Sequence, residues 1–177
     1  NRGHIITNYH VVQNCRSTPQ IKYKDKDVVA KILAKDQILD LALLKANLTN
    51  TKYVTLSKDQ PKKLQRIIAS GYPFGKYISD DLKFTSGIVS SLKGPNDDST
   101  LVQVDAALNP GNSGGPIVDE ETGKLVAVSV MGCKSLKGGY RRIRFKCFPD
   151  TASSSGKSLQ CVWRSPFQIF IALCDTA

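Results

Sequence analysis

An all-β, barrel-like domain is predicted by three features of this sequence. Short apolar and β-branched runs recur along it, turn signals break them about every eight to fifteen residues, and few windows carry a helical period. HIIT (4–7) reads as the end of a strand, residues 8–12 lead into a turn, and 14–19 form a polar loop. Residues 20–23 and 27–34 are strand runs, with 24–26 as a charged hairpin. LDLALLK (39–45) alternates only in part, but its length and neighbours favour a strand. Residues 53–56 and RIIASG (66–71) continue the pattern, and Pro73 and Gly75 punctuate a loop. FTSGIVSSL (84–92), LVQV (101–104), 116–118 and LVAVSVM (125–131) follow, the last two separated by a turn at 121–123. In YRRIRFK (140–146), Ile143 and Phe145 share one face, opposite Arg142, Arg144 and Lys146, as in a half-exposed strand.

The 177 residues suit one domain or two small lobes sharing a cleft. The composition places a first lobe at 1–60, a second at 61–150 and a divergent or disordered tail at 151–177. The formal net charge is +10, and it is uneven. Residues 134–177 hold eight basic and two acidic residues, which leaves +4 for the first 133. The tail carries no zinc or glycine-rich RNA motif, so nucleic acid is not an expected partner. No apolar run is long enough to span a membrane. The chain opens as NRGHIITN, without Met and already in a strand pattern, and reads as a mature or truncated piece. Cys15, Cys133, Cys147, Cys161 and Cys174 are odd in number and lack C-x-x-C spacing, so they define neither a disulfide connectivity nor a zinc site. Asn47 begins an isolated N-L-T sequon.

The chemistry concentrates in NPGNSGGP (109–116). A serine among glycines suits a backbone that turns tightly and gathers amide N–H groups at one point. A serine nucleophile needs that arrangement, because its attack places negative charge on the substrate carbonyl oxygen. The N–H groups of Gly111 and Ser113 are the candidate donors. The hydroxyl also needs a base. Of the two histidines, His10 follows a strand at a place suited to a cleft, whereas His4 reads as an exposed or packing residue. The base in turn needs an acid to fix its tautomer. Asp40 sits between Leu39 and Leu41 in an apolar run, where a carboxylate seldom lies without a partner. Asp105, just upstream of the serine loop, is the rival acid.

The order His, Asp, Ser is carried by five blocks: ITNYHVV (6–12), DLALLK (40–45), SGYPFG (70–75), TSGIVSS (85–91) and QVDAALNPGNSGGPIV (103–118). Together they resemble the HtrA-like (Deg) branch of the trypsin-like serine proteases, over about residues 3–132. The resemblance implies a double β-barrel with the active site between the barrels, the first barrel being incomplete here because the family has further strands upstream. It implies a serine endopeptidase with His10 as base, Asp40 as acid, Ser113 as nucleophile and Gly111 and Ser113 as oxyanion hole. No metal or organic cofactor is required.

Family members often cleave unfolded proteins, work in protein quality control, assemble as trimers and carry a C-terminal PDZ domain, for which this chain has no room. Protein or peptide substrates, a homo-oligomer and a periplasmic, secreted or organellar location are therefore the implied context. The primary pocket would be lined by Ala107, Leu108, Val130, Met131 and Gly132, with no aspartate at its base, which favours a small or medium aliphatic side chain. Asn112 stands where digestive members of the superfamily have an aspartate that pairs with a newly cut N-terminus. FKCFP (145–149), among arginines, is the nearest match to the family's last pocket strand, GFAIP. A protease-like binding module that kept the serine loop but lost a competent cleft is the alternative reading.

Overall fold

The computed structural model describes residues 3–15, 18–24, 26–49, 52–73, 81–130, 142–144 and 172–173. Two antiparallel sheets account for nearly all of its regular structure. The first contains β1 (His4–Thr7), β2 (Gln20–Tyr23), β3 (Lys26–Asp36) and β4 (Leu41–Ala46). The second contains β5 (Arg66–Gly71), β6 (Lys83–Ser91), β7 (Leu101–Val104), β8 (Pro116–Asp119), β9 (Leu125–Ser129) and β10 (Arg142–Arg144). A two-residue strand, β11 (Ala172–Leu173), returns to the first sheet.

The first sheet is open, in the order β1-β4-β3-β2-β11. Alternation sets its faces. Along β4, Ala42, Leu44 and Ala46 turn inward and meet Ile5 of β1, Ile21 of β2 and Ala30 of β3 in one core. A bulge at Leu33 lets the long strand β3 curl over that core. Cys15 packs against it and is disulfide-bonded; the other four cysteines lie outside the described residues. β11 pairs Ala172 with Ile21 and Leu173 with Gln20, so two residues of the tail supply the edge that β2 would otherwise expose. The remaining tail residues lie outside those described.

The second sheet closes into a six-stranded barrel, β10-β7-β6-β5-β8-β9. Its core gathers Ile67, Ala69, Val89, Val102, Val104, Leu108, Ile117 and Val126. β9 is buried at all five positions, which accounts for its unbroken apolar reading. This pair of curled sheets is the double-barrel fold that the sequence blocks implied.

Two local readings are corrected. Residues 9–12, expected as the lead into a turn, form a single helical turn, α1 (Tyr9–Val12), despite two valines of low helix propensity. Residues 53–56, expected as a strand, form isolated bridges at Val54 and Leu56 instead, that of Leu56 pairing with Leu125. Two main-chain hydrogen bonds fasten the segment: Ser57 N–H to Leu125 O at 2.8 Å, and Leu125 N–H to Thr55 O at 2.7 Å.

Candidate active site

The first sheet contributes His10 and Asp40. Asp40 is not inside β4 but in the turn that precedes it, with a left-handed backbone (φ 52°) unusual for a residue other than glycine. That turn places its main chain and carboxylate against the start of α1. The short helix leaves its first N–H groups without internal partners. Asp40 takes two of them: Tyr9 N–H donates to its carbonyl at 3.1 Å, and His10 N–H to its Oδ1 at 2.8 Å. The other carboxylate oxygen, Oδ2, lies 2.7 Å from Nδ1 of the His10 ring. An ionised carboxylate only accepts, so in a neutral imidazole making this contact the proton sits on Nδ1 and the lone pair on Nε2. The Asp40 side chain is 12% exposed and that of His10 37%, so the pair runs from the interior toward solvent.

The second barrel contributes the serine turn. It connects the end of β7 to β8, and Gly111 (φ 99°) and Gly114 (φ 81°) both take backbone conformations that side chains disfavour. Asn112 N–H donates to Asn109 O at 3.0 Å, and Gly115 N–H to Asn112 O at 2.9 Å. Ser129, wholly buried at the end of β9, ties the turn down. Its carbonyl accepts from Gly114 N–H at 2.9 Å and its N–H donates to Gly115 O at 2.9 Å. The Ser129 hydroxyl donates to Asn112 O and lies 3.2 Å from Gly115 O. Ser113, between these anchors, is half-buried.

The two contributions meet directly. A methyl group built on Gly114 would fall 2.4 Å from Thr7 Oγ1 and 3.4 Å from Asn8 N. The turn bearing Ser113 is thus seated on the end of β1, immediately before the helix that carries His10. Asp105, the rival acid, is engaged elsewhere, accepting from Ile88 N–H at 2.7 Å. Of the residues expected to line a pocket, Ala107 is exposed, while Leu108 and Val130 are buried. The Leu108 side chain packs in the barrel core. Met131 and Gly132 lie outside the described residues, as do FKCFP and the terminal tail apart from β11.

Asn112 is 3% exposed and packs against Gly71, whose built Cβ would lie 3.0 Å from it. Three residues of this neighbourhood escaped the reading of the sequence: Thr7, Asn8 and Ser129. The only signal for Thr7 and Ser129 was a polar residue ending an apolar strand, and Asn8 simply follows Thr7. A cavity of about 560 Å³ elsewhere, bordered by Lys62, Arg66, Asp119 and Lys124, includes none of His10, Asp40 and Ser113.

Residues 1–128 match the family described as the trypsin-like peptidase domain. The chain belongs to the trypsin-like peptidase family. Within that family its relatives include HtrA-like serine proteases. Serine protease Do-like HtrB of Bacillus subtilis (strain 168) is 35% identical over 146 residues, covering 77% of this chain and 30% of that protein. A probable periplasmic serine endoprotease DegP-like of Chlamydia muridarum (strain MoPn / Nigg) is 34% identical over 149 residues, covering 81% of this chain and 29% of that protein. This trypsin-like peptidase domain therefore spans less than a third of the length of those relatives. The solved structure of the HtrA-type protease AlgW with a decapeptide matches with a TM-score of 0.66 at 29% identity, over 81% of this chain and 45% of that one.

Proposed function

We propose that this domain performs the chemistry of a serine endopeptidase, with Ser113 as nucleophile, His10 as general base and Asp40 as the group that orients it. The observation that carries this reading is the 2.7 Å contact between His10 Nδ1 and Asp40 Oδ2, which supports the other ring nitrogen as the base. In this reading the lobes 1–60 and 61–150 each supply half of the site. Ser113 Oγ attacks the peptide carbonyl carbon while His10 Nε2 takes its proton. The carbonyl electrons move to an oxyanion held by the N–H groups of Gly111 and Ser113. The intermediate collapses, the amine leaves with the proton from His10, and water then cleaves the acyl-enzyme by the same route in reverse.

The substrates are proteins or peptides, as expected of HtrA-like relatives, and unfolded chains are the class that fits best. The preferred residue before the cleaved bond is small or medium and aliphatic, because Ala107 and the main chain around Leu108 and Val130 offer no carboxylate. Asn112 carries no charge to pair with a new N-terminus, so activity does not depend on trimming.

Labelling with a fluorophosphonate, which requires an activated serine, tests the mechanism. The expected result is stoichiometric labelling that disappears in Ser113→Ala, with peptidase activity reduced on the order of 10⁴-fold or more. Absence of labelling in the folded protein would leave a protease-like binding module as the better reading. Cleavage of a peptide library mainly after Arg or Lys would overturn the pocket assignment, and a large gain of activity on N-terminal trimming would overturn the role given to Asn112.

A further inference from the structure

We propose that Asn8 is a positioning residue, whose side-chain amide holds the main chain of Asp40 in its left-handed turn and so aims the carboxylate at His10. The inference rests on the roles proposed above for His10 and Asp40. Asn8 is the residue before α1, the place where an asparagine side chain ordinarily accepts hydrogen bonds from the first helical N–H groups. Here it makes no such cap. Its Nδ2 instead donates to the carbonyl of Asp40 at 3.0 Å, and only the NH₂ end of the amide can do so, because a carbonyl has no proton to give. The capping duty has passed to Asp40, which receives the N–H groups of Tyr9 and His10. The two residues thus exchange partners: Asp40 caps the helix of Asn8, and Asn8 fixes the carbonyl of Asp40.

The exchange matters because Asp40 sits at φ 52°, a conformation unfavourable for any residue but glycine, which therefore has to be held by its surroundings. Its carbonyl accepts from both Tyr9 N–H and Asn8 Nδ2, which fixes the peptide plane after Asp40 relative to α1. With that plane fixed, the carboxylate spans His10 N–H and His10 Nδ1 at 2.8 and 2.7 Å. Asn8 also carries a cost that a purely structural residue would avoid. It is wholly buried, and its Oδ1 has no partner among the described residues. A buried acceptor without a donor destabilises the fold, so the amide is poorly justified as a stabilising group. Its one evident contribution is the contact with Asp40.

The test uses Asn8→Asp, which keeps the shape but removes the donor, and Asn8→Ala, each in the full chain. In a Ser113→Ala background, where catalysis is irrelevant, the far-downfield proton resonance of the His10–Asp40 hydrogen bond should be lost or moved upfield in both variants. With Ser113 present, fluorophosphonate labelling should slow about tenfold or more, the effect of one hydrogen bond to the acid's main chain. Peptide hydrolysis should lose kcat with little change in KM. In an Asp40→Asn background the same changes at Asn8 should cost almost nothing further, because Asn8 acts through Asp40.

An unchanged downfield resonance, additive losses in the double variants, or a melting transition abolished in both single variants would each overturn the proposal. The last of these would make Asn8 a folding residue. Failure of the parent chain to label would count against the proposed endopeptidase alone, since the resonance is read without turnover.

Discussion

The open first sheet and the closed second barrel hold their parts of the candidate site by different means. The first delivers His10 and Asp40 through hydrogen bonds between polar groups: Asn8 to Asp40, Asp40 to Tyr9 and His10, and the carboxylate to the ring. The second delivers Ser113 through a glycine turn pressed against neighbouring main chain, with Ser129 tying both sides of it to β9. A hydrogen-bonded corner can be weakened one contact at a time. A turn whose neighbours are carbonyl oxygens has no room to yield. Substitution of one methyl group for hydrogen should therefore do more damage in the second half of the site than loss of a whole side-chain donor does in the first.

Gly115→Ala is the strongest way to break that contrast. Its new Cβ would lie 2.3 Å from Ser70 O and 2.9 Å from Asn112 O, both main-chain atoms. The expected outcome is a destabilisation of about 3 kcal/mol or more, at the upper end of overpacking costs, together with loss of fluorophosphonate labelling. Denaturant unfolding and labelling measure the two separately. Wild-type stability and labelling in this variant would mean that the serine turn is far more compliant than its contacts indicate.

A second comparison asks whether the two cores are equally firm. Ile67 in the closed barrel and Ile21 in the open sheet are both wholly buried. Truncation of either to alanine should cost about 2–5 kcal/mol by transfer and cavity terms. The difference should appear in amide exchange. Ile21→Ala is expected to accelerate exchange in β2 and β3 while leaving β5–β9 protected, because only the first sheet is open. Equal acceleration in both sheets would show that they unfold as one unit.

These contrasts also explain what the sequence could and could not disclose. Strands such as RIIASG and LVQV were legible because each forms a buried, β-branched run bounded by turn residues. His10, Asp40 and the serine loop stood out as residue types in a familiar order, and the structure joins the first two by a hydrogen bond. The left-handed turn at Asp40 was not legible, because an aspartate between leucines reads as part of the strand that follows. The helical turn at Tyr9–Val12 was hidden by its valines, whose intrinsic preference is outweighed by Asp40 capping from 30 residues away. The pairing of β11 with β2 joins segments about 150 residues apart, a contact that no local pattern encodes.

That distant pairing supplies the next, smaller prediction. Deletion of residues 172–177 removes β11 and uncovers the edge of β2. Faster exchange of the Gln20 and Ile21 amides is expected, with a loss of about 1 kcal/mol in stability, the scale of one or two net hydrogen bonds. Protection at β5–β9 should stay unchanged. If β2 keeps its protection after the deletion, the two-residue strand is not what secures the open sheet.

The smallest effect belongs to the second barrel and concerns acid. Asp119, at the end of β8, accepts from Thr122 Oγ1 at 2.7 Å, from Gln65 Nε2 at 2.6 Å and from Thr122 N–H at 2.7 Å. The Thr122 hydroxyl first, then the Gln65 amide and the Thr122 N–H, hold its pKa below the ordinary 3.8. A carboxyl whose pKa falls on folding binds its proton more readily in the unfolded chain. Its stabilising contribution is therefore fully present above the ordinary value and is lost as pH falls from there through the lowered folded value. Because the group is largely open to water, screening limits the contribution to a fraction of a kcal/mol. Asp119→Asn should slightly lower stability at neutral pH and flatten the acid limb of the stability curve below about pH 4. An acid limb as steep in the variant as in the parent would place the acid-sensitive group elsewhere.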